Sequence, residues 1–222
     1  MTVTQEWETI FRSNTHISLW PWSDLVSYVH RYATPRAEYQ RVLEFGCGAG
    51  ANIPFFLHLG LDYHAIEGSP TIVARLHERY PKLRQTIIAG DFTQSITFNG
   101  LFDLVVDRAA IQHNATEAVR RAIALAYDRL RPGGKFIGID WLSREHSEAA
   151  HGTRIDSHTR RDIPARAFKD VGTVHFFDEE HLMALLTSVG FRVQFLEHKV
   201  HQVVIPGGND RPAWWNFVAV RS

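Results

Sequence analysis

Cysteine is almost absent from this 222-residue chain, because Cys47 is the only one and no intrachain disulfide can form. A chain without disulfides fits a reducing compartment. No apolar run approaches the length of about 20 residues that spans a bilayer. The N-terminal residues also lack the basic and then apolar order of a secretory signal. We therefore expect a cytoplasmic protein with no membrane partner.

An excess of either charge is also missing, since Lys+Arg and Asp+Glu both total 24. A nucleic-acid-binding protein favours a basic surface, so we expect no nucleic-acid partner. The thirteen histidines have no further cysteines with which to form a zinc-binding spacing, and we expect no metal. A hydrophobic fraction of 45% and this length suit one domain with a large core, as a monomer or a homodimer.

Strand-like and helix-like patterns alternate along most of the chain. Strands are predicted at 41–45, 61–66, 85–89, 102–106 and 135–141, and helices at 51–59, 70–80 and 116–130. Short connections between them predict a parallel α/β sheet. A helix near 178–189 is followed by apolar segments at 191–200 and 213–220 with no helix between them. These two segments predict a closing antiparallel hairpin.

A single domain over residues 1–222 follows from this order, in four parts. We expect residues 1–40 to form an N-terminal helical cap and residues 41–141 to form a cofactor-binding core. Residues 142–176 are polar and irregular, which indicates an insertion that covers the substrate side. Residues 177–222 supply the last helix and the hairpin.

The stretch EFGCGAG (44–50) directly follows the first predicted strand. In an open parallel sheet, ligands bind beyond the carboxyl ends of the strands, and glycines there allow close approach of the backbone. Gly46, Gly48 and Ala51 fit the relaxed dinucleotide pattern G-x-G-x-x-A, which on its own is a weak signal. Glu67 lies about 20 positions further on, where an acid can bind ribose hydroxyls. The alternative is a solvated glutamate that precedes a helix.

Glu44 argues for a cationic ligand at this loop. A pyrophosphate about 4 Å away would be repelled by roughly 4 kcal/mol per charge pair at an effective dielectric near 20. S-adenosylmethionine carries an ammonium and a sulfonium, has no phosphate, and offers a ribose to Glu67. The alternative is that Glu44 pairs with a nearby Arg or Lys and contacts no ligand.

Five segments resemble motifs of the class I S-adenosylmethionine-dependent methyltransferases, namely VLEFGCGAG, YHAIEGSP, GDF (90–92), FDLVVDRAAIQH (102–113) and LRPGGKFIGID (130–140). The resemblance covers residues 40–140 by motif and 175–221 by topology. It implies a Rossmann-like, seven-stranded, mostly parallel sheet with helices on both faces and a C-terminal antiparallel hairpin. It also implies S-adenosylmethionine as the cofactor.

The same resemblance implies a set of cofactor-binding residues: Glu44, Gly46, Gly48, Gly50, Asn52, Glu67, Gly68, Asp91, Phe92, Asp107 and Arg108. The first strand's acid and glycines would hold the methionyl part, with Asp107 and Arg108 nearby, and Glu67 would hold the ribose. Asp91 and Phe92 would hold the adenine. Their alternatives are a turn carboxylate and an ordinary core residue.

The acceptor side offers fewer signals. His113 follows the fourth strand and is the candidate general base, with packing or capping of the next helix as the alternative. Asp140 ends the fifth strand and could orient the acceptor or the base. Trp20, Trp22 and Trp141 are candidates for the substrate pocket. The first two could instead anchor an N-terminal helix.

We therefore expect methyl transfer from S-adenosylmethionine to an oxygen or nitrogen of a small metabolite, with a sugar or other hydroxylated compound as first candidate. The arginine-containing segment 154–166 could meet an anionic acceptor, or could be a charged surface. The chain has DRAA after strand four instead of the NPPY-type motif of base-methylating relatives. Two alternatives are a NAD(P)-dependent oxidoreductase and a non-catalytic protein that binds S-adenosylmethionine.

Overall fold

A computed structural model describes residues 5–33, 40–164, 168–206 and 210–222. Two helices, α1 (Gln5–Arg12) and α2 (Ser23–Tyr32), precede the sheet. The first half of the sheet contains β1 (Arg41–Phe45), β2 (Asp62–Glu67), β3 (Ile87–Ala89), β4 (Phe102–Arg108) and β5 (Leu130–Leu142). Helices α3 (Ile53–His58), α4 (Pro70–Arg79) and α5 (Thr116–Arg129) connect these strands.

The remaining elements are three short strands, a helix and a hairpin. The short strands are β6 (Thr153–Arg154), β7 (Thr159–Arg161) and β8 (Thr173–His175), and they form a separate antiparallel sheet. Helix α6 (Glu179–Ser188) leads into β9 (Phe191–Val200) and β10 (Ala213–Arg221). In the part of the chain that the structure describes, no helix combines the length and apolar character needed to cross a bilayer.

The main sheet has seven strands in the order β3-β2-β1-β4-β5-β10-β9. Strands β1 to β5 are parallel, and β10 pairs antiparallel with both β5 and β9. The predicted fold class is thereby confirmed. Since β1 lies between β2 and β4, the strand order reverses there, and a crevice opens at the carboxyl ends of these strands.

Side chains on the two faces of the sheet enter separate cores, because successive residues of a strand point in opposite directions. Leu43 and Val105 pack with α5 and α6, represented by Val119 and Leu182. On the opposite face, Val42, Val106 and Ile137 pack with residues of α2, α3 and α4, among them Leu25, Phe56 and Leu76. Burial on both faces explains the nearly continuous apolar character of the central strands.

The structure differs from the sequence-based expectation in three places. Strand β3 covers only Ile87–Ala89 instead of 85–89. Strand β5 begins at Leu130 rather than at 135, because Leu130 already pairs with Phe102 before the RPGG segment. The insertion is not irregular throughout, since β6, β7 and β8 lie within it and Ile163, Val174 and Phe176 form a third core with Ile10.

Gly138 is required by the packing of the hairpin on β5. It pairs with Phe217 of β10, and a Cβ atom at Gly138 would lie 2.1 Å from Cε1 of that fully buried ring. We expect Gly138→Ala to lower the free energy of unfolding by about 1–3 kcal/mol, as overpacking of a core does. Urea denaturation measures this loss. The loss should shrink in a Phe217→Leu background, and an equal loss in both backgrounds would contradict the steric explanation.

Candidate active site

A cavity of about 740 Å³ opens at the carboxyl ends of the parallel strands, a size typical of small-molecule sites. Residues that follow β1, β2, β3, β4 and β5 line its base. Helix α1 and the loop up to Trp22 line a second side, and the insertion with the loop before β10 lines a third. The cavity therefore occupies the place where the strand order predicts a ligand.

The glycine loop after β1 leaves no room for larger residues at Gly46. This residue has φ of +62°, and a Cβ there would lie 2.3 Å from that of Ala110. The Gly48 amide donates to Glu67 Oε2 at 2.8 Å and so ties the loop to the end of β2. Gly50 is outside the cavity wall, because it is covered by Ile53 and Leu76. Gly50 therefore packs against the core instead of making the predicted contact with a ligand.

Glu44 is buried in the cavity wall and is held by neutral partners. Its carboxylate accepts hydrogen bonds from Asn52 Nδ2 at 2.7 Å and from the Tyr63 hydroxyl at 2.5 Å. No Lys, Arg or His among the described residues forms an ion pair with it, so the structure does not have the alternative pairing considered above. Burial raises the pKa of Glu44, since little solvent or cationic charge stabilises the carboxylate.

Glu67 has the same character at the end of β2. It is 5% exposed, and its oxygens accept from the amides of Gly48 and Ser69, the latter at 2.9 Å. Burial raises its pKa despite these main-chain hydrogen bonds. Gly68 beside it also lines the cavity. Two buried carboxylates with no cation beside them therefore face one ligand space, which favours a positively charged ligand.

Asp91 and Phe92 line the cavity after β3. Asp91 Oδ1 accepts from the amide of Thr93 at 2.9 Å and from its hydroxyl at 2.6 Å, so the turn-forming alternative describes that oxygen. Phe92 stacks on Phe45 with ring centroids 5.2 Å apart, and it belongs to the core as well as to the cavity wall. Both side chains therefore fill the turn and core roles of the alternatives while also lining the cavity, where the adenine contact stays a prediction.

Arg108, Asp140 and Trp22 form one unit across the floor of the cavity. Arg108 pairs with Asp140 Oδ2 through Nη2 at 2.9 Å and Nε at 3.1 Å, and its guanidinium carbon lies 3.5 Å from the Trp22 ring centroid. Asp140 adopts φ of +57°, and its amide donates to Asn216 Oδ1 at 2.8 Å. Asp140 therefore orients Arg108. Trp22 both lines the cavity and anchors the segment before α2.

His113 lies in the cavity wall with its ring edge-on to Trp7, at a centroid distance of 4.7 Å. Its Nδ1 atom is buried and has no hydrogen-bond partner. Burial lowers the pKa of His113 to about 4, although a main-chain hydrogen bond with Thr173 acts in the other direction. The imidazole is consequently neutral at neutral pH and is a weak base.

Three other predicted site residues lie outside the cavity wall. Asp107 is fully buried, and its carboxylate accepts from the Ile111 amide at 3.0 Å and from Trp141 Nε1 at 2.7 Å. Trp141 is itself fully buried among core aromatic rings, so the predicted contact with substrate is wrong for it. Trp20 is 78% exposed and is not part of the cavity wall.

Several cavity residues were not anticipated from the sequence, namely Trp7, Phe11, His16, Phe168, Val171 and Trp214. Trp7 and Phe11 are four residues apart on α1, an amphipathic spacing that could have indicated a buried helix face. Trp214 lies in β10 and the others sit on loops or turns, and the position of all four depends on long-range packing. Among the described residues, no group of three or more His, Cys, Asp or Glu side chains could hold a metal ion.

Comparisons with known proteins agree with this geometry. A sequence profile described as "Methyltransferase domain" matches residues 42–134. An uncharacterized methyltransferase of Bacillus cytotoxicus is 28% identical over 157 residues, which covers 71% of this chain and 72% of the relative.

Two solved structures share the fold. A S-adenosylmethionine-dependent methyltransferase from Methanosarcina mazei has a TM-score of 0.67 at 20% identity, covering 92% of this chain and 99% of that one. A phosphoethanolamine N-methyltransferase of Haemonchus contortus has a TM-score of 0.64 at 18% identity, and the match covers 99% of this chain and 57% of that one.

The fold is that of the Rossmann-like methyltransferases. The profile match to residues 42–134 and the curated relative, together with this shared fold, support an S-adenosylmethionine-dependent methyltransferase. The expected enzyme class and cofactor are thereby confirmed, and the nicotinamide-dependent alternative is not supported.

The buried Asp107 predicts a measurable pH dependence of stability. Burial raises its pKa from 3.8 to about 7, so the folded protein binds more protons than the unfolded chain between these values. Stability is therefore lost as the pH rises through this window, by at most about 4 kcal/mol, since a tenfold change in an ionisation constant is about 1.4 kcal/mol. Asp107→Asn cannot ionise and removes this contribution.

Urea denaturation from about pH 4 to pH 8 measures the effect as the difference between the two proteins. The wild type should lose stability relative to Asp107→Asn as the pH rises, with no further relative change above about pH 8. The comparison isolates Asp107, because all other titrating groups are shared. Parallel pH profiles would show that Asp107 titrates alike in both states.

Proposed function

We propose that this enzyme transfers the methyl group of S-adenosylmethionine to an oxygen or nitrogen of a small metabolite, a sugar or other hydroxylated compound among them. The observation that carries the proposal is the pair of buried carboxylates, Glu44 and Glu67, on the wall of one cavity with neutral partners only. A ligand that brings positive charge and ribose hydroxyls compensates both.

The residues fit the parts of this cofactor. Glu44, with Gly46, Gly48 and Asn52 around it, lies at the end of β1, where the methionyl ammonium would be attracted. Glu67 is the last residue of β2 and would accept hydrogen bonds from the ribose, with Gly68 beside it on the cavity wall. Asp91 and Phe92 follow β3 and would contact the adenine. When bound, the cofactor supplies an already activated methyl group on its sulfonium.

Positioning of the acceptor accounts for most of the catalysis in this proposal, because the leaving group needs no further activation. Arg108 is held by Asp140 and Trp22, and it forms the floor of the cavity beside the place proposed for the methionyl end of the cofactor. His113 lines the same space, and its Nδ1 is buried without a hydrogen-bond partner. We assign it to orienting the acceptor's donor hydrogen rather than to strong proton abstraction, since burial lowers its pKa to about 4.

Cofactor binding is tested by calorimetry with S-adenosylhomocysteine. Wild-type protein should bind it, and Glu67→Ala should lose about 1.5–3 kcal/mol of binding free energy with the charged hydrogen bonds to ribose. Glu78→Ala, on the exposed face of α4, is the matched control and should bind as the wild type does. Unchanged affinity in Glu67→Ala would remove Glu67 from the site. Tight NAD binding without nucleoside binding would overturn the proposal.

His113→Ala tests the orienting role. We expect kcat for methylation of an acceptor to fall at least tenfold, while the affinity for S-adenosylhomocysteine stays within about twofold. The ratio of wild-type to variant rates should stay constant from about pH 6 to pH 8, because the ring is neutral throughout. His58→Ala, at the exposed end of α3, serves as control. A ratio that follows a group titrating near pH 6.5 would instead assign proton abstraction to His113.

Turnover itself separates the proposal from the non-catalytic alternative. A screen of hydroxyl and amine acceptors, read out as S-adenosylhomocysteine release, should give product with at least one class. Binding of cofactor without transfer to any acceptor would favour a binding protein.

A further inference from the structure

The charges on the cavity wall are strongly unequal among the described residues. One guanidinium, that of Arg108, is present, and it already pairs with Asp140. The carboxylates on the same wall are those of Glu44, Glu67, Asp91, Asp140, Glu148 and Asp210. Such a wall repels phosphates and carboxylates, and it attracts cations.

Of these six acids, three lie where the cofactor is placed, Asp140 pairs with Arg108, and two lie elsewhere. Glu148 belongs to the insertion, and Asp210 belongs to the loop before β10. These two segments line a different side of the cavity from the glycine loop. Two aromatic rings of the same wall, Phe168 of the insertion and Trp214 of β10, both contact the ring of His146, which accepts from the Glu148 amide. This side combines carboxylates with aromatic faces, the two groups that bind organic ammonium ions.

Glu148 is held in place by its neighbours. It is 8% exposed, its Oε2 lies 2.8 Å from Nδ1 of His151, and its amide donates to His146 Nδ1 at 3.1 Å. His151 itself is mostly exposed, so the contact orients the carboxylate without covering it from the cavity. Because His146 accepts at Nδ1, its neutral ring carries the proton on Nε2.

His113 supplies an independent indication of a ligand in this space. Its main-chain bond with Thr173 favours the protonated ring, so the ring donates that bond. Nδ1 lacks a partner, and the donor is therefore Nε2. Nδ1 of the neutral ring is a buried acceptor that lacks a donor, and a ligand N–H or O–H satisfies it.

We propose, building on the methyl transfer proposed above, that the acceptor is an amine that binds as an ammonium ion between the Glu148 carboxylate and the aromatic wall, with one N–H directed at His113 Nδ1. The ammonium loses one proton to solvent before the reaction. The nitrogen lone pair then forms a bond with the methyl carbon. The carbon–sulfur bond breaks with its electron pair on sulfur, and the methylated nitrogen carries the positive charge.

This specificity differs from that of the worm enzyme with the same fold. That protein was solved with phosphomonomethylethanolamine, whose phosphate is an anion. The described cavity wall of the present chain offers a phosphate only Arg108, which is neutralised by Asp140. An amine with an apolar body therefore fits better than a phosphorylated one.

Isosteric probes test the inference. 2-Phenylethylamine, 2-phenylethanol and 2-phenylethyl phosphate share one carbon frame and differ in charge. They are titrated by calorimetry into protein saturated with S-adenosylhomocysteine, and the same trio is repeated on benzyl, indolylethyl and hexyl frames. We expect an amine to bind at least tenfold more tightly than its alcohol, with the phosphate weakest, and to be methylated in the presence of S-adenosylmethionine.

Glu148→Gln should weaken binding of the amine at least tenfold and of the alcohol less than twofold, whereas Glu148→Asp should keep the preference for the amine. Glu145→Gln is the matched control, because Glu145 lies three positions earlier, pairs with Arg211 at 3.0 Å and is absent from the cavity wall. Thermal melting checks that each variant folds.

Three results would overturn the inference: an alcohol or phosphate that binds as tightly as its amine, an equal loss for amine and alcohol in Glu148→Gln, or no amine bound on any frame. In each case the protein is already saturated with S-adenosylhomocysteine, so the proposed function stands while the acceptor class fails. Failure to bind S-adenosylhomocysteine at all would instead reject the proposed function.

Discussion

Burial of carboxylates at the ends of adjacent parallel strands is the constraint on which this active site depends. Glu44 is the penultimate residue of β1, Glu67 is the last residue of β2, and Asp107 is the penultimate residue of β4. All three side chains are buried. Each is stabilised by neutral donors: an amide side chain and a phenol, two main-chain amides, or an indole and a main-chain amide. Hydrogen bonds of this kind keep a buried acid in place without neutralising it. Glu44 and Glu67, the two of these acids on the cavity wall, therefore have no cation of the protein beside them and are open to a ligand that brings positive charge.

A second set of hydrogen bonds and an ion pair fixes the cavity walls relative to those carboxylates. Asn216, fully buried in β10, accepts from the Asp140 amide and donates to Asp24 of α2, which pairs with Lys199 of β9. Through the side-chain amide of Asn216, the closing hairpin fixes the strained end of β5 and the helix that follows Trp22. The hairpin thus has a direct part in placing the Arg108 and Asp140 pair.

Sequence patterns predicted the sheet well because each central strand is a short apolar run followed by a small or acidic residue that marks its carboxyl end. They also placed Glu44, Glu67, Asp91 and His113 on the cavity wall, since these residues lie at the carboxyl ends of strands or in the loops that follow them. The errors arise where position depends on tertiary packing. Gly50 and Trp141 sit next to ligand-facing residues in sequence yet turn into the core. Trp7, Phe168 and Trp214 reach the cavity from distant segments, and no local pattern distinguishes them from ordinary core residues.

In the proposed binding mode, the raised pKa values of Glu44 and Glu67 also link cofactor occupancy to proton exchange. Without a ligand, burial shifts each carboxyl toward its protonated form. A bound cation, or a ligand that hydrogen-bonds to the charged form, shifts the equilibrium back toward the carboxylate. At a pH where the free protein holds a proton on either carboxyl, binding of the cofactor releases that proton to the buffer. The heat of binding then includes the buffer's own heat of ionisation, and the apparent dissociation constant depends on acidity even though the cofactor's sulfonium never titrates.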